Sequence, residues 1–416
     1  MTRALVFSTL FPNEEQPNHG VFVLNRLRET LALGGLDATV LAPIPYFPFK
    51  APAFGRYATF ARAPRAETRD GLEVRHPRYL VLPKIGSVLT PRFLYRAALA
   101  EARRLAARGI KFDVIDAHYF YPDGVAAALL GRALRKPVVI TGRGTDLTLI
   151  PQAAGPRAQI QWAAREASAM VTVCEDLRQR LIKLGAQPDR VITLRNGVDL
   201  DLFAPRDREA ARVALGLEGY TLLCVGALIP RKGQRLVIEA VAQRPGLALL
   251  IVGDGPMREA LQALAEQLGV ASRVRFLGET PHRALPDIYS AVDALVLASE
   301  REGWANVLLE AMACGAPVIA SDVNGSAEVV GAPEAGRLLA ARTPAAIVAA
   351  VDDLQRNPPA RAATRRYAER FGWRPVAEAN KVLLLGVAQN GYDGRYDDKI
   401  LNQIRVGLAS AEEGRG

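Results

Sequence analysis

The chain has 416 residues, half of them hydrophobic and 23% charged, with 53 Lys+Arg against 43 Asp+Glu for a formal net charge of +10. That length points to two domains, and the composition is an ordinary soluble one with ample core. No apolar run reaches the roughly 18 residues of a transmembrane helix, and Cys174, Cys224 and Cys314 have no Cys-x-x-Cys partner, which fits buried free thiols in a reducing cytosol.

The charge is unevenly placed. Residues 1–205 hold 28 Lys+Arg and 18 Asp+Glu, a net +10, whereas residues 206–416 hold 25 of each. Arginine is dense from Arg56 to Arg108. This asymmetry argues for an anionic partner on the N-terminal half. No aromatic-interleaved basic motif supports a nucleic acid. An anionic membrane surface or a phosphate-bearing lipid fits better, and a generally arginine-rich chain is the plain alternative.

Residues 1–10 are apolar but short and run into Pro12-Asn13-Glu14-Glu15, which reads as a first strand and loop rather than a signal peptide. Strands are predicted at 4–8, 38–42, 114–117, 138–141 and 170–173, with helical patterns at 21–33, 94–108 and 158–166. A second series has strands at 221–225, 248–252, 274–277, 294–298 and 318–320, and helices at 236–242, 257–268 and 306–313. Strands alternating with helices mean βαβ units and parallel sheets, so the fold class is α/β with two Rossmann-like domains. Asn196-Gly197, followed by Pro205, has linker chemistry. A last helical pattern opens at Phe371-Gly372-Trp373, and the tail from Gln389 is polar, rich in Gly and Asp, and left unassigned or disordered.

Candidate chemistry lies in the loops that follow strands, where open α/β sheets bind ligands. Glu302-Gly303-Trp304-Ala305-Asn306-Val307-Leu308-Leu309-Glu310-Ala311-Met312-Ala313 follows the run 293–299 and carries two carboxylates eight positions apart at a helix start. A helix N-terminus offers N–H groups and a positive dipole end to an anion. One carboxylate suits the hydroxyls of a sugar and the other those of a ribose. Gly226-Ala227-Leu228-Ile229-Pro230-Arg231-Lys232-Gly233 brings two cations to a strand end, as a diphosphate needs. Pro17-Asn18-His19-Gly20 follows the first strand, and Gly20 lets the backbone approach a phosphate or acceptor closely. Thr141-Gly142-Arg143-Gly144-Thr145-Asp146 and Asp116-Ala117-His118-Tyr119 follow two further strands. There is no Gly-x-Gly-x-x-Gly fingerprint, which disfavours a dinucleotide dehydrogenase. The few His and Cys lack metal-ligand spacing, and no Asp-x-Asp metal motif is read.

The segment from Glu302 to Ala313 resembles the Glu-x7-Glu signature of the retaining glycosyltransferases of family 4, and Asn196-Gly197-Val198-Asp199-x3-Phe203 is similar to that family's interdomain signature. The resemblance covers most of the chain and is strongest from Asn196 to Val330. It implies a GT-B type pair of Rossmann-like domains facing across a cleft: an acceptor domain at 1–203, a nucleotide-sugar domain at 204–372, a crossover helix at 373–388 and a tail at 389–416. It implies front-face displacement at a nucleotide diphosphate sugar without metal or cofactor, the donor phosphate taking the acceptor proton. In that account Glu302 holds sugar hydroxyls and Glu310 the ribose. Lys232 stabilises the leaving phosphate, helped by Arg231, and Gly226, Gly303, Trp304, Asn306, Val307 and Gly20 position donor groups. His19, His118 and Asp146 stand on the acceptor side. Two departures are visible: Ala227 where the family has arginine, and Arg143 where it has histidine, so Arg143 is a candidate for a donor phosphate or an acidic sugar. The implied setting is cytoplasmic, peripheral on the inner face of the membrane, in polysaccharide or glycolipid synthesis on a lipid-linked hydroxyl acceptor. A nucleotide-sugar epimerase of the same fold and a non-catalytic nucleotide-sugar-binding subunit are the alternatives.

Overall fold

A computed structural model describes residues 1–82, 88–392 and 398–413. The chain divides into two compact units: Met1–Asn196 together with the chain from Arg374, and Gly197–Trp373.

The first unit contains β1 (Thr2–Phe7), β2 (Leu36–Leu41), β3 (Ile44–Pro45), β4 (Ala66–Arg69), β5 (Leu72–Arg75), β6 (Arg78–Tyr79), β7 (Val114–His118), β8 (Val138–Gly142), β9 (Ala169–Thr172) and β10 (Val191–Thr193). Eight of these form one sheet in the order β10-β9-β8-β7-β1-β2-β5-β4, and β3 pairs β6 separately. Every pairing in the larger sheet is parallel except β4 with β5. β7 and β8 are buried at every position. Parallel strands covered on both faces read as near-continuous apolar runs, as β8 does over Val138–Ile140, whereas β7 carries Asp116 and His118 among its buried positions. β4 and β5 form an edge hairpin whose turn, Asp70-Gly71, has φ of 48° and 78°, the geometry that favours Asp-Gly.

The second unit contains β11 (Tyr220–Val225), β12 (Leu247–Val252), β13 (Val274–Gly278), β14 (Ala294–Leu297), β15 (Val318–Ser321) and β16 (Gly336–Leu339), in the order β13-β12-β11-β14-β15-β16. All neighbours are parallel. Its core packs Leu222, Leu249, Ile251, Val296 and Ile319 of the sheet against Val237, Val241, Ile347 and Val351 of the covering helices. In each unit the chain winds outward from a central strand in both directions. The order reverses between β1 and β7 in the first unit and between β11 and β14 in the second.

All the expected strands form, within about two residues of their predicted ends. β3, β4, β5, β6, β10 and β16 are additions. The join falls at 196/197, earlier than the expected 203/204, because residues 197–203 are bonded into the second unit: Val198 N–H donates to Phe371 O at 2.9 Å. The helix Trp373–Asn390 passes into the first unit, where Asn380 donates to the Thr30 hydroxyl at 3.1 Å and Lys381 to Leu33 O at 3.0 Å. The polar tail is not wholly irregular. A helix spans Asp398–Glu413, with Leu401 and Ile404 buried and Arg405 donating to the carbonyls of Pro188 and Val191. The rest of the expected tail, 393–397 and 414–416, lies outside the described residues. Among the described residues no helix is long and apolar enough to cross a membrane.

Candidate functional site

In the second unit the loops after β11 and β14, on either side of the reversal, are tied together. Glu300 N–H donates to Arg231 O at 2.7 Å, and the Arg231 guanidinium donates to Arg301 O at 3.1 Å. Lys232 Nζ donates to Glu302 Oε1 at 2.7 Å, with Arg231 Nη1 3.6 Å from the same oxygen. The Glu302 side chain is only 9% exposed, so this is a mostly desolvated ion cluster rather than a surface pair. Gly233 makes the approach fit. It has φ of 74°, and a Cβ there would stand 2.1 Å from Ala298 O at the end of β14. Gly226 lies beside the lysine: a Cβ added to it would sit 3.7 Å from Lys232 Cε.

Gly303 follows Glu302 directly, and Trp304 is buried with its ring 6.1 Å from that of Phe371. Asn306 and Val307 open the helix Asn306–Ala313. The far end of this helix is held by arginines. Arg365 donates to Ala313 O at 2.8 Å and also to Phe203 O, and Arg361 donates to Cys314 O at 3.3 Å. These cations satisfy terminal carbonyls and complement the negative end of the helix. Glu310, one turn from that end, is buried; Oε2 accepts from the Tyr289 hydroxyl at 2.8 Å and Oε1 lies 3.3 Å from His282 Nε2. Burial works to lower the His282 pKa, but its bond to Glu310 and the charges of Glu310 and Asp199 outweigh it and raise the value. The His282 ring also meets Phe203 edge-on at 4.9 Å. Sequence reasoning missed His282 and Tyr289, and the signal available was only Pro281-His282 in the loop after β13.

In the first unit the loops after β7 and β8 share a buried polar network. The Asp146 carboxylate accepts the N–H groups of Phe120 and Gly144 at 2.7 Å and of Arg143 at 3.1 Å. Burial raises its pKa against those three bonds. Arg143 donates to Asn196 Oδ1 at 2.9 Å and to His118 Nδ1 at 2.8 Å, with its guanidinium 5.0 Å from the Phe22 ring centre. Arginine only donates, so His118 Nδ1 is the acceptor and its proton sits on Nε2, facing Asp116 at 3.3 Å. Burial, aided by Arg143, lowers the His118 pKa despite Asp116 and keeps the ring neutral. His118 is 1% and Arg143 8% exposed. Arg143, the candidate for a donor phosphate or an acidic sugar, and His118, expected on the acceptor side, both turn inward and brace the loops.

A second buried carboxylate, Asp123, escaped the sequence reading because Tyr121-Pro122-Asp123-Gly124 looks like a turn. It accepts Thr9 N–H at 2.7 Å and the Thr9 hydroxyl at 2.9 Å, joining the loops after β1 and β7. Burial, reinforced by Asp146, pushes its pKa up to about 7 against the Thr9 bonds. Beside it lies a cavity of about 360 Å³ lined by Thr9, Asn13, Gln16, His19, Phe60 and Tyr79 among others. His19 Nε2 lies 3.1 Å from Thr9 O, and burial lowers its pKa, so the neutral ring donates there. Gly20, at φ of 72°, starts the helix Val21–Ala32; a Cβ on it would lie 2.3 Å from the Leu10 carbonyl. The loop after β1 thus folds across itself and shapes one wall of the cavity.

One Asp-x-Asp triplet is present after all, Asp199-Leu200-Asp201. Asp199 Oδ1 accepts the N–H groups of Asp201 and Leu202 at 3.2 and 2.9 Å, a turn within the join. Among the described residues no three His, Cys, Asp or Glu side chains are grouped to hold a metal ion.

Residues 21–202 match the family model described as Glycosyltransferase Family 4, and residues 206–371 that described as Glycosyl transferases group 1. The D-inositol 3-phosphate glycosyltransferase 1 of Catenulispora acidiphila is 32% identical over 371 residues, 82% of this chain and 86% of that protein. Sucrose-phosphate synthase from Thermosynechococcus elongatus has a similar fold, with a TM-score of 0.74 at 22% identity over 92% of this chain and 98% of that one. Anabaena HepE, solved in complex with UDP, gives 0.67 at 22% identity over 99% and 100%.

Proposed function

The chain belongs to the family 4 glycosyltransferases, and we propose that it retains the anomeric configuration while moving a sugar from a nucleotide diphosphate donor to a hydroxyl on a lipid-borne acceptor, without a metal. The observation that carries the reading is the Lys232–Glu302–Arg231 cluster at the carboxyl ends of the two strands where the sheet order reverses. In such folds this is where ligands bind. The Lys232 ammonium, released from Glu302 as the donor enters, takes the diphosphate and stabilises the charge that grows on it as the glycosidic bond breaks. Glu302 then accepts from the sugar hydroxyls. Glu310, already aimed by Tyr289 and His282, accepts from the ribose. The backbone of Gly303, Trp304, Asn306 and Val307 positions the donor phosphates and sugar, and Gly226 leaves room beside Lys232.

In the step itself the acceptor oxygen bonds to the anomeric carbon on the face from which the phosphate leaves, and the leaving phosphate oxygen takes the acceptor proton. Arg143, His118 and Asp146 act by bracing the loops around the acceptor. His19 lines the cavity that receives it. The relative named for inositol 3-phosphate supports a phosphate-bearing acceptor as one candidate, and HepE supports a uridine donor.

A thermal-shift panel of UDP-, GDP- and ADP-sugars tests this, run on the wild type and on Glu310→Ala. A ligand that binds only the native state raises its apparent stability. One donor should shift the wild type and lose that shift in the variant. A donor whose shift survives Glu310→Ala, or no shift with any donor, would overturn the assignment of the second unit.

A further inference from the structure

Six of the chain's 13 Phe and 11 Tyr fall between Tyr46 and Phe60, and the donor chemistry uses none of them. They pack on one another rather than into the core. Phe47 is central, with its ring 5.9, 5.5 and 5.3 Å from those of Phe49, Phe54 and Tyr57, and Phe49 stacks on Phe54 at 5.2 Å. Phe49 is 56%, Tyr46 51%, Phe54 44% and Tyr57 44% exposed, and Leu80 nearby 55%. An ordered apolar patch of this kind marks an interaction surface.

Its charge says what kind. Residues 38–66 carry Lys50, Arg56, Arg62 and Arg65 and no Asp or Glu. Arg62 is paired with Glu15 at 2.7 Å, whereas Lys50 and Arg65 are exposed. Aromatic rings suit the headgroup level of a bilayer, and cations beside them favour anionic lipid. An acidic protein partner would use the cations but would not call for a cluster of ring edges. The patch is also continuous with the acceptor cavity, because Phe60 lines that cavity and stands 6.2 Å from Tyr57.

We infer that residues 46–60 form a bilayer-docking surface, which rests on anionic lipid and holds the cavity beside Phe60 at the depth of a lipid-borne acceptor's head. This rests on the reading of the acceptor given above.

The test is co-sedimentation of the full chain with phosphatidylcholine vesicles and with phosphatidylcholine–phosphatidylglycerol vesicles. The wild type should bind the second far better, and salt should weaken the binding. Moving the exposed half of each ring into the interface is worth roughly a fivefold gain in partition, so Phe49→Ser/Phe54→Ser/Tyr57→Ser together should lower it about a hundredfold. Lys50→Glu/Arg65→Glu should abolish the preference for phosphatidylglycerol. Both variants should melt as the wild type does. Wild type that stays in the supernatant with phosphatidylglycerol vesicles overturns the inference, as does a triple-serine variant that binds them equally. A dimer of the wild type that the same variant abolishes would assign the patch to a second copy and also overturn it. Vesicle binding that holds while no nucleotide sugar shifts the melt would leave the surface standing and remove the transferase reading instead.

Discussion

Gly233→Ala should separate the geometry of the ion cluster from mere stability. At φ of 74° an alanine is strained by about 1–2 kcal/mol. Its Cβ would also lie 2.1 Å from Ala298 O, where real Cβ atoms essentially never come under 3.0 Å. The obstacle is main chain, so one loop must yield by about 1 Å, the difference between those two distances. Lys232 is the neighbour of Gly233, and Glu302 is four residues beyond Ala298; a shift of that size cannot preserve the 2.7 Å pair between them. A misplacement of about 1 Å in an active site costs about a hundredfold in rate. Gly216→Ala is the control. Its φ is 58°, but a Cβ there meets nothing within 4 Å, so it carries the strain alone. Initial rates of nucleotide release should fall about a hundredfold in Gly233→Ala and stay near wild type in Gly216→Ala, while urea denaturation shows Gly216→Ala losing about 1 kcal/mol and Gly233→Ala more. Gly233→Ala turning over within about threefold of wild type would refute the claim that contact between these loops sets the cluster for catalysis.

Three further outcomes follow from the same geometry. Glu302→Gln and Lys232→Met should each lower kcat by about 10² to 10³, and the double variant should be little worse than either, since the pair acts as a unit; additive losses in steady-state kinetics would argue for independent roles. The folded pKa of His282 is raised, so its stabilising contribution is complete below its unfolded value near 6.5 and is lost as pH rises through the folded value. His282→Gln should therefore lower the melting temperature more at about pH 6 than at about pH 9, and an equal drop at both would assign the ring to packing on Phe203 instead. Asp123 follows the same sign: its folded pKa of about 7 lies above the ordinary 3.8, so its contribution is present below 3.8 and lost by pH 7. Asp123→Asn, which keeps an acceptor for Thr9, should gain stability relative to wild type between pH 5 and pH 8 in urea titrations, and a parallel loss at both would show that the carboxylate is charged and needed there.

How much of this could be read in the sequence depends on how local each signal is. The strands that carry Lys232 and Glu302 are apolar runs that stop where the loops begin, at Val225 and Leu297. Both residues can therefore be placed at the same end of one sheet, and only their contact depends on how the two loops fold together. β4 and β5 left a weaker trace. β4 has no buried position and in β5 the buried Leu72 and Val74 alternate with Glu73 and Arg75, so the Asp70-Gly71 turn was the one local clue. The tail helix Asp398–Glu413 was hidden by a polar, glycine-bearing approach, although Leu401 and Ile404, which are buried, stand three positions apart as on one helix face.

The residues misread or missed share another property. Arg143 looks the same in sequence whether its guanidinium meets solvent or is buried, and what turns it inward is His118, 25 positions back, and Asn196, 53 positions on. His282 finds Glu310 28 positions away in the same manner. Spacing within one loop can nominate a cation or a carboxylate, but its direction is set by partners that only the fold assembles. The aromatic run at 46–60 shows the converse, because sequence alone does not separate rings in a core from rings on a surface and only their exposure makes them a surface. The departures at Ala227 and Arg143 take on different meanings for that reason. Arg143 replaces a histidine within a satisfied internal network, so its effect on turnover should come through loop order. Ala227 leaves its loop one cation short beside the proposed diphosphate site, with Arg231 held by Arg301 O and Glu302. If the leaving phosphate needs a second positive charge, Arg231 must release both contacts to supply it, and Arg231→Met should then lower kcat rather than raise KM.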